Sequence, residues 1–269
     1  MRGRSRSISI QTILDEAREL EKSGYHEMVV TGTHLGAYGR DLQPRMRLSD
    51  ILQMILKSTK EISIRVSSLE PTTLTRDFIE LVRNEDRIRP HFHIPLQSGS
   101  DTVLRRMNRK YRMKNFVERV EALSQTRNHV GIGTDVIVGY SCETQAEFQE
   151  TVQRVENLPL TYLHVFPFSP REGTKAKAQP DNVPSKLKKE RVQILRSISQ
   201  KKRNQFHKKF IGSVQRVIVE KKRDSHGRLS GYTGQYIPIR FLGGDRLVNQ
   251  EVEIRMLKLE GEVVLGEVI

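Results

Sequence analysis

An α/β fold, a parallel sheet or barrel followed by a small antiparallel β-barrel, is predicted by three features of these 269 residues. Helix-period and strand-like segments alternate from Ile13 to Phe166, the pattern that parallel sheets with crossover helices produce. A long basic helix follows Pro184. After it come only strand-like runs, among them Glu251-Val252-Glu253-Ile254-Arg255-Met256, whose strict alternation puts one face on a core and the other in water.

Taken in order, Ile13 to Lys22 reads as a helix with Ile13, Leu14, Ala17 and Leu20 as its apolar residues, ended by Ser23-Gly24. The strand-like Met28-Val29-Val30 comes next. The cycle repeats with helix Ile51 to Lys57, strand Ile62 to Val66, helix Phe78 to Val82 and strand Phe92 to Pro95. Helix Phe116 to Leu123, strand Gly133 to Val138, helix Phe148 to Val155 and strand Tyr162 to Phe166 complete five strands. The basic helix runs to about Phe206, with Ser185 as its cap and Leu187, Ile194, Leu195 and Ile198 on one face. Val214 to Glu220, Tyr236 to Phe241, Val252 to Lys258 and Val263 to Ile269 are the later strands, and Asp224-Ser225-His226-Gly227 marks a turn. A closed barrel suits them because closure removes exposed edges.

Forty-six basic residues against thirty-two acidic ones give +14. Between Lys186 and Arg228, fifteen Lys or Arg and three Asp or Glu leave a net +12, a concentration suited to a polyanion, nucleic acid first. A solvated basic helix without a partner is the alternative. One cysteine makes no internal disulfide, and neither a secretory segment nor an apolar run long enough to span a membrane is present, so a soluble cytoplasmic protein is expected.

In parallel α/β folds, ligands sit where the strands end. Those places hold Thr31-Gly32-Thr33-His34, Ser67-Ser68-Leu69-Glu70, Leu96-Gln97-Ser98-Gly99-Ser100, Gly139-Tyr140 and Pro167-Phe168-Ser169. Small and polar residues there allow close backbone approach and supply hydrogen-bonding groups for a nucleoside-like or sugar-bearing ligand. The single cysteine, Cys142, lies in the turn before a helix whose Thr144 and Glu147 have capping-box spacing. It is read as a small turn residue, because no histidine lies close in sequence to serve as its base and one thiolate cannot hold an iron-sulfur cluster.

PHFHIPLQSGSDTVLRRMNRKY, RVSSLEP, GIGTDVIVG and LPLTYLHVFPFSPREGTKA together resemble the radical S-adenosylmethionine methylthiotransferases. TGTHLGAYG and LPLTYLHVFPFSPREGT resemble the branch acting on threonylcarbamoyladenosine beside the tRNA anticodon. The sister branch that modifies isopentenyladenosine more often shows Ser-His-Pro where this chain has Leu69-Glu70-Pro71. The resemblance implies a partial radical-SAM, TIM-like parallel barrel over residues 1–206. It implies a TRAM-like, tRNA-binding β-barrel over 207–269. It also implies S-adenosylmethionine contacts from Gly32, Thr33 and His34 toward the methionyl end and from Ser67 and Glu70 beside them. Gln97 and Ser98 would face the ribose, and Asp135 and Phe168 the adenine. Lys201, Lys202, Arg203, Lys208 and Lys209 are the expected tRNA contacts.

In the family, a CxxxCxxC loop binds a 4Fe-4S cluster. The segment Met1 to Ser7 resembles the stretch just downstream of that loop, so the loop, the first barrel strand and the sulfur-donating domain are expected to be missing from these residues. Cys142 stands in the Tyr140-Ser141-Cys142-Glu143-Thr144 turn where the family usually has Pro-Gly. The resemblance implies a tRNA methylthiotransferase acting on carbon 2 of threonylcarbamoyladenosine. The alternative is a standalone tRNA-binding module without radical chemistry.

Overall fold

Strand residues of the first part alternate between two surroundings. Ile64, Val66, Phe92, Ile132, Val136, Val138, Leu163 and Val165 are buried in one core with the helices, while Glu27, Arg65, His91, His93, Asp135, Tyr162 and His164 share the other face of the sheet. The computed structural model describes residues 5–170, 173 and 183–269. The first four residues and most of the REGTKA motif lie outside the described residues.

Helices α1 (Ile10–Lys22), α2 (Leu48–Ser58), α3 (Arg76–Asn84), α5 (Met113–Ser124) and α6 (Gln145–Asn157) surround strands β1 (Glu27–Val30), β2 (Ser63–Val66), β3 (His91–His93), β4 (Gly131–Val138) and β5 (Tyr162–Pro167), with a short α4 (Asp101–Arg106) after β3. Several helix starts follow directly from side-chain chemistry. The Ser9 hydroxyl accepts from Thr12 N at 3.1 Å and Thr75 Oγ1 from Phe78 N at 3.3 Å. The expected capping box is present: Thr144 Oγ1 accepts from Glu147 N at 3.2 Å, and Glu147 Oε2 from Thr144 N at 2.8 Å. All five strands run parallel, β1 on β2 and β3–β4–β5 as a second group. A parallel bridge between Ile64 and Ile88 links the groups. Among the described residues β1 pairs only with β2, and Val29 on it is 55% exposed.

Helix α7 (Ser185–Lys208) leads to β6 (Val214–Arg223), β7 (Leu229–Thr233), β8 (Pro238–Phe241), β9 (Glu251–Glu260) and β10 (Val263–Val268), which form a closed barrel in the order β10-β8-β7-β6-β9. Four differences from the sequence reading appear here. Strand β7, whose apolar pattern is broken by Ser230-Gly231, was not expected, and the barrel closes through a parallel β8–β10 pair rather than being antiparallel throughout. Pro184, not Ser185, stands at the cap position of α7, and no side chain caps it. Ile194 is 43% exposed because the buried stripe of α7 is centred on Arg191, Val192, Leu195 and Ser199, roughly 115° around the helix from it at about 100° per residue.

The small barrel meets the starts of the parallel strands through paired charges. Glu27 takes Arg65 Nε at 2.6 Å and Nη2 at 2.9 Å, and also Arg89 Nε at 2.9 Å. Arg89 reaches on to Glu251 of β9, and Arg65 Nη1 donates to Gly234 O at 3.1 Å. These three side chains are at most 14% exposed. Removing one partner of such a buried pair leaves uncompensated charge, at a cost of about 3–5 kcal/mol. Glu27→Ala should lower stability by that amount in urea denaturation, while Glu27→Gln, which keeps the hydrogen-bonding shape, should lose less.

Candidate functional site

At the ends of the parallel strands, Thr31, Gly32, Thr33 and His34 are exposed after β1, and His34 Nε2 lies 3.1 Å from Glu70 Oε2 after β2. The two rim segments expected to cooperate are therefore in contact. Ser67 follows β2, its N–H donating to Val30 O at 3.0 Å. Ser68 and Gln97 have φ of +43° and +71°, left-handed values that cost a side-chain-bearing residue roughly 1–2 kcal/mol. Gln97 is held so because its N–H donates to Asp135 O at 2.8 Å and its O accepts from Ile137 N at 2.9 Å. Ser98 is buried, its Oγ accepting from Ser100 N at 3.2 Å and lying 3.3 Å from Thr151 Oγ1. Gly99 is required by packing, since a Cβ there would lie 2.6 Å from Thr151 Cα. Phe168 is buried against Tyr140, with ring centroids 4.7 Å apart.

Asp135 occupies a different place from the rim segments. It is in the body of β4, with Oδ1 3.0 Å from His93 Nε2 on β3 and 3.4 Å from His164 Nδ1 on β5. Burial pushes its carboxyl up, but hydrogen bonds and charge from the two histidines outweigh this and hold it below the usual range. His164 is held below its ordinary value by burial first and by His93 second, against the opposing pull of Asp135. Below them, Tyr162 lies across Gly133, where a Cβ would fall 2.2 Å from the ring, and its hydroxyl is 3.0 Å from His91 Nε2. His91 stacks on Tyr236 of the small barrel at 4.8 Å. His93 and His164 were not singled out in the sequence, although the His-x-His spacing in Phe92-flanked β3 and the strand period of two put both on the Asp135 face.

The basic residues divide into two groups. Lys201, Lys208 and Lys209 are exposed. Lys202 Nζ donates to Glu156 O and Leu158 O, both at 2.9 Å, and burial pulls its ammonium below the ordinary value. Arg203 pairs with Glu262 at 2.6 Å and lies over the Tyr162 ring at 5.5 Å. Lys186, Lys189, Arg196, Lys201 and Lys208 fall within about 140° of one another around α7, so a cationic stripe runs along its solvent face.

Cofactor groups fit this chain unequally. An iron-sulfur cluster is held by several thiolates, and these residues include one cysteine, exposed in the β4–α6 turn, so they do not fit a cluster. The polar rim from Thr31 to Glu70 fits a small ligand carrying charged and hydrogen-bonding groups.

Parallel strands with a polar rim at their ends define an α/β barrel-type chain, and comparison identifies the group. The chain belongs to the Radical SAM superfamily, whose sequence profile matches residues 1–155. It is similar to the threonylcarbamoyladenosine tRNA methylthiotransferase MtaB of Bacillus subtilis (strain 168), 35% identical over 96% of this chain and 58% of that protein. The protein of the same description from Aquifex aeolicus (strain VF5) is 38% identical over 81% of this chain and 53% of its own length. The chain thus spans somewhat more than half of these curated relatives. The solved coproporphyrinogen III oxidase (HemN) from Escherichia coli, a radical SAM enzyme, shares the fold with TM-score 0.53 and 13% identity, over 93% of this chain and 60% of that one.

Cys142 has φ +56°, in the left-handed region that favours glycine. The side chain strains the turn, while glycine would add unfolded-state entropy, so the two effects partly offset. Cys142→Gly should stabilise the chain by up to about 1 kcal/mol, read from the urea midpoint.

Proposed function

We propose that this chain is the barrel and tRNA-holding part of a tRNA methylthiotransferase that acts on carbon 2 of threonylcarbamoyladenosine. The observation that carries the reading is the pairing of a polar, left-handed rim at the strand ends with homology to MtaB proteins along 96% of the chain. In this reading Gly32, Thr33 and His34 hold the methionyl end of S-adenosylmethionine, and Ser67 and Glu70 stand beside them. Gln97 and Ser98 lie toward the ribose. Phe168 backs the adenine side. Asp135, in the body of β4 with its carboxylate shared by two imidazoles, is set apart from these rim contacts.

The reading divides the chain at 206/207, with residues 207–269 acting as a TRAM-like domain. Phe206 and Phe210 supply the hinge packing, being buried in the small barrel's core. Its tRNA contacts run along the exposed stripe of α7, with Lys201, Lys208 and Lys209 on phosphates. Lys202 and Arg203 act as struts within the protein, since both are already engaged. A second reading, a tRNA-binding module without radical chemistry, is favoured by the single cysteine. Among the described residues no helix is long and apolar enough to cross a membrane.

Each neutralised phosphate releases counterions, so six contacts give a slope of log affinity against log salt of roughly −4 to −5. Changing Lys201, Lys208 and Lys209 together to alanine should flatten this slope by about two to three units in fluorescence polarisation with tRNA, without changing preference among tRNAs. An unchanged slope removes the helix from the tRNA surface. Reductive formation of 5′-deoxyadenosine from S-adenosylmethionine by the purified chain would exclude the second reading.

A further inference from the structure

We infer that His93, Asp135 and His164 form a binding site for one divalent transition-metal ion, separate from any iron-sulfur cluster. Three adjacent parallel strands each contribute one ligand atom: His93 Nε2 from β3, Asp135 Oδ1 from β4 and His164 Nδ1 from β5. The backbone register sets their heights, since Asp135 pairs directly with His164 and His93 pairs with Gly133, one inward-facing step away. The ligands therefore sit on sheet rather than on loops, which fixes their separation.

Two of the three separations match a coordination shell, and the third is at most 4.8 Å. Zinc-ligand distances of about 2.0–2.2 Å place neighbouring donors roughly 3.0–3.4 Å apart in tetrahedral or octahedral arrangements. The two histidine nitrogens lie 3.0 and 3.4 Å from the same Asp135 oxygen, and all three atoms lie within 4.8 Å of one another. A modest rotation of the half-exposed His164 ring narrows the remaining edge. An ion seated among them replaces the two imidazole-carboxylate hydrogen bonds, so occupancy does not leave those polar groups without partners.

The donor set selects the ion. Two imidazoles and one carboxylate favour zinc, cobalt(II) or iron(II), whereas calcium and magnesium require shells dominated by oxygen. Three protein ligands leave coordination positions open, as in sites that receive water or a substrate atom rather than closed structural sites. The open side faces away from the buried carbons of Phe92, Val136 and Val165, which pack in the core on the opposite sheet face. An oxygen or nitrogen donor of a small ligand is the class of group that would complete the shell.

The test uses the full 269-residue chain, stripped with a chelator and titrated with cobalt(II) alone while visible absorption is followed. One saturable equivalent with ligand-field bands, displaced by zinc, is expected. Asp135→Asn and His164→Gln should each weaken binding by more than the roughly 100-fold typical of changing an outer-shell partner. His34→Gln, which alters the other histidine-carboxylate pair, should leave the affinity unchanged. Should Asp135→Asn fail to fold, His164→Gln carries the result because that side chain is 51% exposed, and X-ray absorption of the zinc-loaded chain should show two imidazoles on the metal. Absence of saturable binding, or binding that survives both ligand substitutions, overturns the site. The result is independent of tRNA binding, so it stands or falls apart from the proposed function.

Discussion

A single carboxylate, Glu27, holds the molecule together at the closed end of the parallel strands. It lies at the start of β1 and receives the guanidinium of Arg65 from β2 and that of Arg89 from the segment before β3. Such charges are costly to bury unless their hydrogen-bonding capacity is met, and here the surplus is met by the small barrel: Arg65 bonds to Gly234 O and Arg89 to Glu251. Arg65 also lies over Tyr236, 4.9 Å from its centroid. The same set of bonds joins β1, β2 and the segment before β3, and fastens the barrel beneath them.

The segments that follow the strands lie at the opposite end. The side chains of Arg65 and Arg89 bond to the small barrel, whereas the segments after the strands carry the exposed run from Thr31 to His34 and the left-handed Ser68 and Gln97. Between the ends lies a column of rings, Tyr232 on Tyr236 at 4.5 Å, Tyr236 on His91 at 4.8 Å, then Tyr162 and the pair His93 and His164. The histidines are thus supported from below by aromatic packing and laterally by Asp135. Burial keeps His91 neutral by lowering it to about 3, so the column carries no cation of its own beneath the carboxylate.

The sequence disclosed what short-range chemistry determines. Apolar alternation located all five parallel strands, and Thr144 with Glu147 announced a helix start that forms as expected. Features set by long-range pairing were not legible. Strand β7 carries Ser230-Gly231 because Val217 packs where a Cβ on Gly231 would fall, a constraint invisible from its own letters. Closure through parallel β8 and β10 depends on which edges meet, which periodicity does not encode. Of the candidate site, the rim segments could be named, yet the partners of Asp135 come from strands 42 and 29 residues away and only the sheet brings them together. Lys202 and Arg203 looked like the other basic residues, and only burial and contacts separate them from Lys201.

Helix α7 turns these local facts into a spatial relation. Near its start, Arg191 donates to Glu143 Oε2 at 2.6 Å and to Glu143 O at 3.2 Å in the β4–α6 turn, and Lys188 Nζ donates to Phe168 O at 3.3 Å. Near its end, Arg203 holds Glu262 in the small barrel, and Phe206 enters that barrel's core. A 24-residue helix is about 36 Å long, so the strut spans the molecule from the ligand rim to the small barrel. The Arg191–Glu143 pair and Phe206 are buried, and the cationic stripe along the same helix faces solvent. A polyanion lying on that stripe is therefore registered against the rim by the helix itself: phosphate contacts fix where the strand lies, and the distance to the rim is set by rigid covalent length rather than by a flexible linker.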